Sequence, residues 1–125
     1  MTYLLDVNIL LAAIWDNHPL HGRAFAGIKG KRLAVCPLAE LGFIRISTHP
    51  KATINAPMNK TRELLRRFIH ERDVSRIADD LPALESKPLR SDEVTDSYLA
   101  ELALRHNVKL ATMDARIKHP AVVVI

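Results

Sequence analysis

Four acidic residues lie where a predicted strand gives way to a helix or a turn: Asp6, Glu40, Asp96 and Asp114. In a parallel α/β sheet the carboxyl ends of the strands open on one edge, so acids at these places converge although they are far apart in sequence. Carboxylates that share a site repel and raise one another's pKa, and a hard divalent cation with oxygen ligands relieves the repulsion. The pattern therefore predicts a site for Mg²⁺ or Mn²⁺.

Each of these acids also has a simpler interpretation. Aspartate is favoured at helix starts, so Asp6 and Asp96 could be caps, and Glu40 could be a first-turn acid favoured by the helix dipole. Asp92 is a rival to Asp96, because it lies four residues earlier and the sequence does not define the start of this helix sharply. The hypothesis of a site depends on all four acids occupying equivalent positions in the predicted topology.

Two neutral side chains accompany the acids at the predicted strand ends. Asn8 follows Asp6 by two residues, so that both could point into one cleft. Thr112 precedes Asp114 by two residues, and its hydroxyl could orient a carboxylate, although a strand threonine without such a role is equally compatible with the sequence. We expect Asn8 and Thr112 to support the site.

Other chemistries find little support in the sequence. His18 and His21 have no cysteine or third histidine at a matching spacing, which argues against a zinc site. Cys36 is the only cysteine and lies in a predicted strand without an evident histidine partner, so we expect a buried residue rather than a nucleophile. The four glycines are scattered, which disfavours a glycine-rich phosphate loop.

Alternating strands and helices must position the acids. Short apolar runs predict strands at residues 3–5, 33–36, 109–112 and 121–125, with a further short strand within 74–78. We expect Pro19 in the first turn of the second helix, Thr95 as a helix cap, and Asn107 at a helix end in a left-handed conformation. Leu41 is expected to face the core. The alternation indicates an α/β fold with a mainly parallel central sheet flanked by helices.

Length and composition indicate one folded domain, residues 1–125. The chain is 48% hydrophobic and 26% charged, which is far from the composition of a disordered protein. The apolar stretch from Leu4 to Trp15 is interrupted by Asp6 and Asn8 and is preceded by no lysine or arginine, unlike a signal peptide. Because no apolar run reaches about 18 residues, we expect no membrane span and a cytoplasmic protein.

The net charge is +4, and one segment supplies all of it. The segment from Lys51 to Arg76 contains seven basic residues and three acidic ones. A basic surface beside a carboxylate pocket suits a polyanionic substrate such as a nucleic acid. A solvated helix face is an equally good interpretation of the charge alone.

The residues around the four acids resemble those of PIN-domain ribonucleases, specifically VapC-type toxins of toxin–antitoxin modules. The resemblance rests on four segments: residues 4–8 (Leu-Leu-Asp-Val-Asn), 39–50, 95–100 and 111–114 (Ala-Thr-Met-Asp). It spans almost the whole chain, and residues 39–50 are its most distinctive part. The resemblance implies a PIN-like α/β/α sandwich and a metal-dependent endoribonuclease, which would hydrolyse RNA phosphodiester bonds with Mg²⁺ or Mn²⁺.

The resemblance also implies roles for individual residues. The family's catalytic acids match Asp6, Glu40, Asp96 and Asp114, among which Asp6, Asp96 and Asp114 are the expected metal ligands. Asn8 and Thr112 match positions that commonly support the site. Exposed bases are candidates for contacting RNA or a cognate antitoxin: Arg45, Arg62, Arg66 and Arg67. A homodimer, blocked by its antitoxin, is the implied assembly.

Two other classes of function remain open on the sequence. A catalytically inactive PIN-like RNA-binding protein would keep the fold, although the four intact acids count against it. A phosphoacceptor signalling domain also uses acids at strand ends with Mg²⁺. It would need an acceptor aspartate in the middle of the sheet and a nearby lysine, and the sequence places neither.

Overall fold

A five-stranded parallel sheet forms the centre of the protein. The computed structural model describes every residue from 1 to 125. The strands are β1 (Thr2–Leu5), β2 (Arg32–Val35), β3 (Ser75–Arg76), β4 (Lys109–Thr112) and β5 (Val122–Val124). They lie in the order β3-β2-β1-β4-β5, and every neighbouring pair is parallel. The α/β prediction is confirmed, including the short third strand.

Five helices cover the sheet. They are α1 (Val7–Ile14), α2 (His21–Ile28), α3 (Pro37–Thr48), α4 (Met58–Glu71) and α5 (Val94–Arg105). Helix α1 contacts α2, α3 and α4, whereas α5 packs on β4. Two single turns of 3₁₀ helix, Ala83–Glu85 and Ser91–Glu93, lie in the connection between β3 and α5. No helix is both long and apolar enough to cross a membrane.

The central position of β1 decides where the acids meet. Leu4 and Leu5 are completely buried, because β1 has a strand on each side and helices above and below. Leu4 pairs with Ala34 of β2 on one side and with Leu110 of β4 on the other. The chain leaves β1 and β4 at the same sheet edge, so the residues that follow these two strands are neighbours.

Helices α1 and α3 approach closely through small residues. A β-carbon placed on Gly42 of α3 would lie 2.7 Å from Cγ2 of Val7 in α1, closer than carbon atoms pack. The indole nitrogen of Trp15 donates a 2.9 Å hydrogen bond to the hydroxyl of Ser47, which is completely buried. These contacts hold α3 along the whole length of α1, from Val7 in its first turn to Trp15 just after its last residue.

Three expectations about local structure are wrong, and one is confirmed. Helix α2 begins at His21, after Pro19, and α5 begins at Val94, so Thr95 lies inside the first turn and does not cap it. Leu41 is 64% exposed, because α3 buries a different face. Asn107 has a φ of 55°, as expected for a left-handed residue after a helix.

Candidate active site

Asp6 lies between β1 and α1 and is almost completely buried. Its Oδ1 accepts a 2.8 Å hydrogen bond from the backbone N–H of Ile9, so it caps α1, the simpler of the two roles considered for it. The cap uses one carboxylate oxygen and leaves Oδ2 for another partner. Burial raises the pKa of Asp6 from its usual 3.8 to about 6, and the charges of Asp96 and Asp114 raise it further, against hydrogen bonds from Ile9 and Thr112.

Thr112 connects two of the acids. It is the last residue of β4 and is completely buried. Its hydroxyl oxygen accepts a 3.0 Å hydrogen bond from the backbone N–H of Asp114. The same hydroxyl forms a hydrogen bond with Asp6 that lowers the pKa of that carboxyl. The threonine therefore fixes the turn that carries Asp114 against the carboxylate of Asp6.

Asp114 is held by the residue two positions after it. The backbone N–H and Nε of Arg116 both donate to Oδ1, at 2.9 and 3.0 Å, and Nη2 donates to Oδ2 at 2.9 Å. The side-chain hydrogen bonds from Arg116, together with its backbone N–H, lower the pKa of Asp114 from 3.8 to about 2. This carboxylate is therefore ionised at neutral pH, and both of its oxygens have a hydrogen-bond donor.

Asp96 is partly buried in the first turn of α5. Burial raises its pKa, the charge of Asp114 adds to the rise, and the charge of Arg116 opposes it. Asp96 accepts no hydrogen bond from a basic side chain. Asp6, Asp96 and Asp114 thus form one electrostatic group, in which Asp96 and Asp114 raise the pKa of Asp6 and Asp114 raises that of Asp96.

An open cavity of about 660 Å³ lies over these acids. Asp96, Asp114 and Arg116 line it, as does Asp92, the rival of Asp96. The remainder of the wall comes from the β3–α5 connection, from further residues of α5, and from residues 117–119 between β4 and β5. Asp6 is not part of its lining.

The three carboxylates suit a hard divalent cation by their donor chemistry. Mg²⁺ needs oxygen ligands and is commonly held by one or two carboxylates plus waters. As placed, no three acidic, histidine or cysteine side chains are arranged to hold a metal ion. Asp114 is turned to Arg116 instead. The oxygen donors of these residues fit a divalent cation, and in the present arrangement both oxygens of Asp114 are bound by Arg116.

Comparison with known proteins shows the family to which the chain belongs. A sequence profile of the PIN domain matches residues 3–123. This chain belongs to the PIN domain family. Ribonuclease VapC38 of Mycobacterium tuberculosis (strain ATCC 25618 / H37Rv) is 39% identical over 124 residues, which cover 90% of this chain and 84% of that protein. Ribonuclease VapC44 of the same strain is 33% identical over 131 residues, which cover 98% of this chain and 92% of the relative.

A solved structure shares the fold of this PIN domain. The crystal structure of VapBC2 from Rickettsia felis, bound to a DNA fragment from their promoter, superposes with a TM-score of 0.66. The match covers 100% of this chain and 98% of the other, at 16% sequence identity. An identity this low supports the fold alone.

The fourth predicted acid of this PIN domain makes a different contact. Glu40 lies in the first turn of α3, after β2, and its side chain is 18% exposed. Its Oε1 lies 3.6 Å from Nε of Arg76 on β3. The structure therefore pairs Glu40 with a base from the far side of β2, and its place in the site stays a prediction.

The predicted supporting residue Asn8 lies close to Asp6 in the sequence, whereas the predicted basic residues lie away from the cavity. Asn8 is exposed in the first turn of α1, next to Asp6 in sequence. The bases Arg45, Arg62, Arg66 and Arg67 are all exposed on α3 and α4, and none lines the cavity over the acids. Arg66 pairs with Glu63 and Arg67 with Glu71, which leaves fewer free charges on α4 than the sequence suggested.

Sequence reasoning missed Arg116 as part of this PIN domain's site. The available signal was its spacing. An aspartate just after a strand readily accepts the backbone N–H two residues on, and this turn brings the side chain of the second residue back to the carboxylate. Nδ1 of His18 accepts a hydrogen bond from the backbone N–H of Leu20, and Nδ1 of His21 lies 2.8 Å from the carbonyl oxygen of Ala12.

Proposed function

We propose that this PIN domain is a divalent-metal-dependent endoribonuclease and the toxin of a toxin–antitoxin module. The observation that carries the proposal is the meeting of Asp6, Asp96 and Asp114, from three distant parts of the chain, around one sheet edge. The VapC ribonucleases that resemble the chain over most of its length support the ribonuclease class. The substrate is RNA, and the reaction is hydrolysis of a phosphodiester bond.

Asp6, Asp96 and Asp114 would hold Mg²⁺ or Mn²⁺, with Asp6 and Asp96 as the first ligands because no arginine occupies them. When bound, the cation supplies charge that stabilises the reacting phosphate and lowers the pKa of the attacking water. Thr112 positions Asp6 and Asp114 for this task through the hydrogen bonds of its hydroxyl. Glu40 is proposed to complete the catalytic acids, and Asn8 to orient Asp6.

The partners that we propose follow from the same class of protein. The resemblance of the chain to VapC ribonucleases over most of its length supports a cognate antitoxin for this chain. We propose a homodimer in the cytoplasm, which the antitoxin inhibits by covering the cavity. The exposed bases Arg45, Arg62, Arg66 and Arg67 are proposed contacts for RNA or the antitoxin, away from the catalytic acids.

A cleavage assay with matched variants tests the activity. The purified protein, free of any co-expressed partner, is incubated with total bacterial RNA in Mn²⁺, Mg²⁺ or EDTA, and new 5′ ends are mapped by sequencing. Asp96→Asn should reduce cleavage by roughly 100-fold or more, the scale for losing a group that stabilises charge at the reacting centre. EDTA should abolish cleavage.

Asp92→Asn is the matched control, since it removes the same charge from the same cavity four residues earlier. It should retain most of the cleavage activity, because Asp92 is bound to Arg90. Equal losses in the two variants would place Asp92 in the site. Cleavage that survives both EDTA and Asp96→Asn would overturn the mechanism, and RNA binding without any cleavage would favour an inactive RNA-binding protein.

A further inference from the structure

Arg116 places a positive charge inside the acidic group. Its guanidinium and backbone make three hydrogen bonds to Asp114, so that both carboxylate oxygens have a donor. Its charge also acts on Asp92 and Asp96 across the cavity. A guanidinium that satisfies one carboxylate and attracts two others stands close to where a cation held by this group would lie.

The acids of the site differ in whether a base holds them. Asp114 is bound by Arg116, and Glu40 lies beside Arg76. Asp6 and Asp96 form no ion pair with any base. A divalent cation can therefore bind Asp6 and Asp96 without breaking an ion pair, whereas it binds Asp114 only after Arg116 has moved.

We propose that Arg116 competes with the divalent cation for Asp114 and thereby sets the metal affinity of the site. The inference rests on the proposed metal-dependent function, and it adds a residue that weakens metal binding. Where a site must first change state, its apparent affinity falls by the fraction of molecules in the competent state. Here the competent state is the one in which Asp114 is free of Arg116.

The exchange is physically accessible because the pair lies at the surface. The side chain of Arg116 is 82% exposed, and that of Asp114 is 26% exposed. Exposed ion pairs are weak, since both partners are well solvated when separated. A cation with two charges should displace the guanidinium at moderate concentration, so the arginine tunes metal affinity and does not block binding.

Calorimetric titration of Mn²⁺ into the RNA-free protein tests the inference, with dissociation constants as its readout. Arg116→Ala should bind Mn²⁺ about two- to fivefold more tightly than wild type, the fold-change that an exposed ion pair is worth. Lys118→Ala is the matched control. It removes a positive charge from the same cavity wall and the same connection, but its Nζ contacts the carbonyl of Ala115 and not Asp114.

A second pair of variants separates the effect of the Arg116–Asp114 contact from the effect of the positive charge of Arg116. In Asp114→Asn, where Arg116 has no carboxylate to hold, adding Arg116→Ala should raise the Mn²⁺ affinity by clearly less than it does with Asp114 present, because only the weaker action of the guanidinium on Asp92 and Asp96 remains. The inference is overturned if Arg116→Ala binds no more tightly than wild type. It is also overturned if Lys118→Ala gains as much, or if the gain persists in full with Asp114→Asn, because the effect would then be general electrostatics.

Failure of the inference differs from failure of the proposed function. If wild type binds Mn²⁺ and Arg116→Ala binds equally, only the competition is wrong, and the metal site stands. If neither binds Mn²⁺ at millimolar concentration, the metal-dependent mechanism fails, and the inference fails with it. Because Arg116 and Lys118 are exposed, their variants should unfold at the temperature of wild type, which circular dichroism checks.

Discussion

Replacing Asp6 by asparagine should stabilise the metal-free protein at neutral pH, although Asp6 lies at the centre of the proposed site. Asparagine caps a helix about as well as aspartate, so the hydrogen bond to Ile9 can be kept. The change removes a buried negative charge whose pKa is raised from 3.8 to about 6. A rise of that size destabilises the folded protein with an ionised Asp6 by about 3 kcal/mol at pH 7. Because asparagine replaces the contacts of the carboxylate only in part, we expect Asp6→Asn to raise the free energy of unfolding by about 1–3 kcal/mol.

The gain should depend on pH in a definite direction. Above pH 6 the carboxyl is ionised in both the folded and the unfolded chain, and the folded state bears the full cost. Between pH 6 and 3.8 the folded protein takes up a proton that the unfolded chain does not, so the cost declines as the pH falls. Below 3.8 both states are protonated, and the advantage of Asp6→Asn over wild type should have disappeared.

Urea unfolding in EDTA at pH 7.5 and at pH 4 measures this difference, provided that the slope with denaturant is unchanged. Asp16→Asn is the control, because it removes an equal charge from an exposed position. Adding Mn²⁺ should stabilise wild type more than Asp6→Asn, since only wild type keeps the carboxylate ligand. An Asp6→Asn protein that is less stable than wild type at pH 7.5, or a gain that is the same at both pH values, would refute the reasoning.

Two further substitutions test how the site is held. Thr112→Val should lower the free energy of unfolding by about 1–3 kcal/mol, because it leaves the N–H of Asp114 without its buried acceptor. Urea unfolding measures this loss, and a stability equal to that of wild type would contradict the prediction. Gly42→Ala should destabilise by about 1–3 kcal/mol despite the better helix propensity of alanine, since the new methyl group meets Val7 at 2.7 Å. Val7→Ala in the same chain should recover most of that loss in thermal unfolding, and no recovery would place the strain elsewhere.

The central strands of the sheet were readable from sequence because they are buried on both faces. Central parallel strands become short apolar runs, such as residues 33–36 and the Leu110-Ala111 pair within 109–112. The convergence of Asp6 with Asp114 follows directly, since it needs only β1 and β4 to be neighbours. Their adjacency is a property of parallel topology and not of any local contact.

The helix boundaries were less readable because backbone and packing define them. The residues before α2 and α5, Leu20 and Glu93, make no side-chain capping bond, so no capping signal marks either start. The buried face of α3 includes Ser47, whose hydroxyl is satisfied by Trp15. A buried polar residue breaks the apolar periodicity, which is why Leu41 was expected in the core. Arg116 was missed since a turn, and not a periodic element, returns it to Asp114.

The order of the strands also determines when the acidic group can exist during synthesis. The middle strand, β1, is made first, while its neighbour β4 begins only at Lys109. A nascent chain that ends before this residue leaves one edge of β1 unpaired and lacks Asp114 altogether. The ribosome must therefore translate past Asp114 before the nuclease that we propose could act, and a product terminated before Lys109 would carry Asp6 without Asp114.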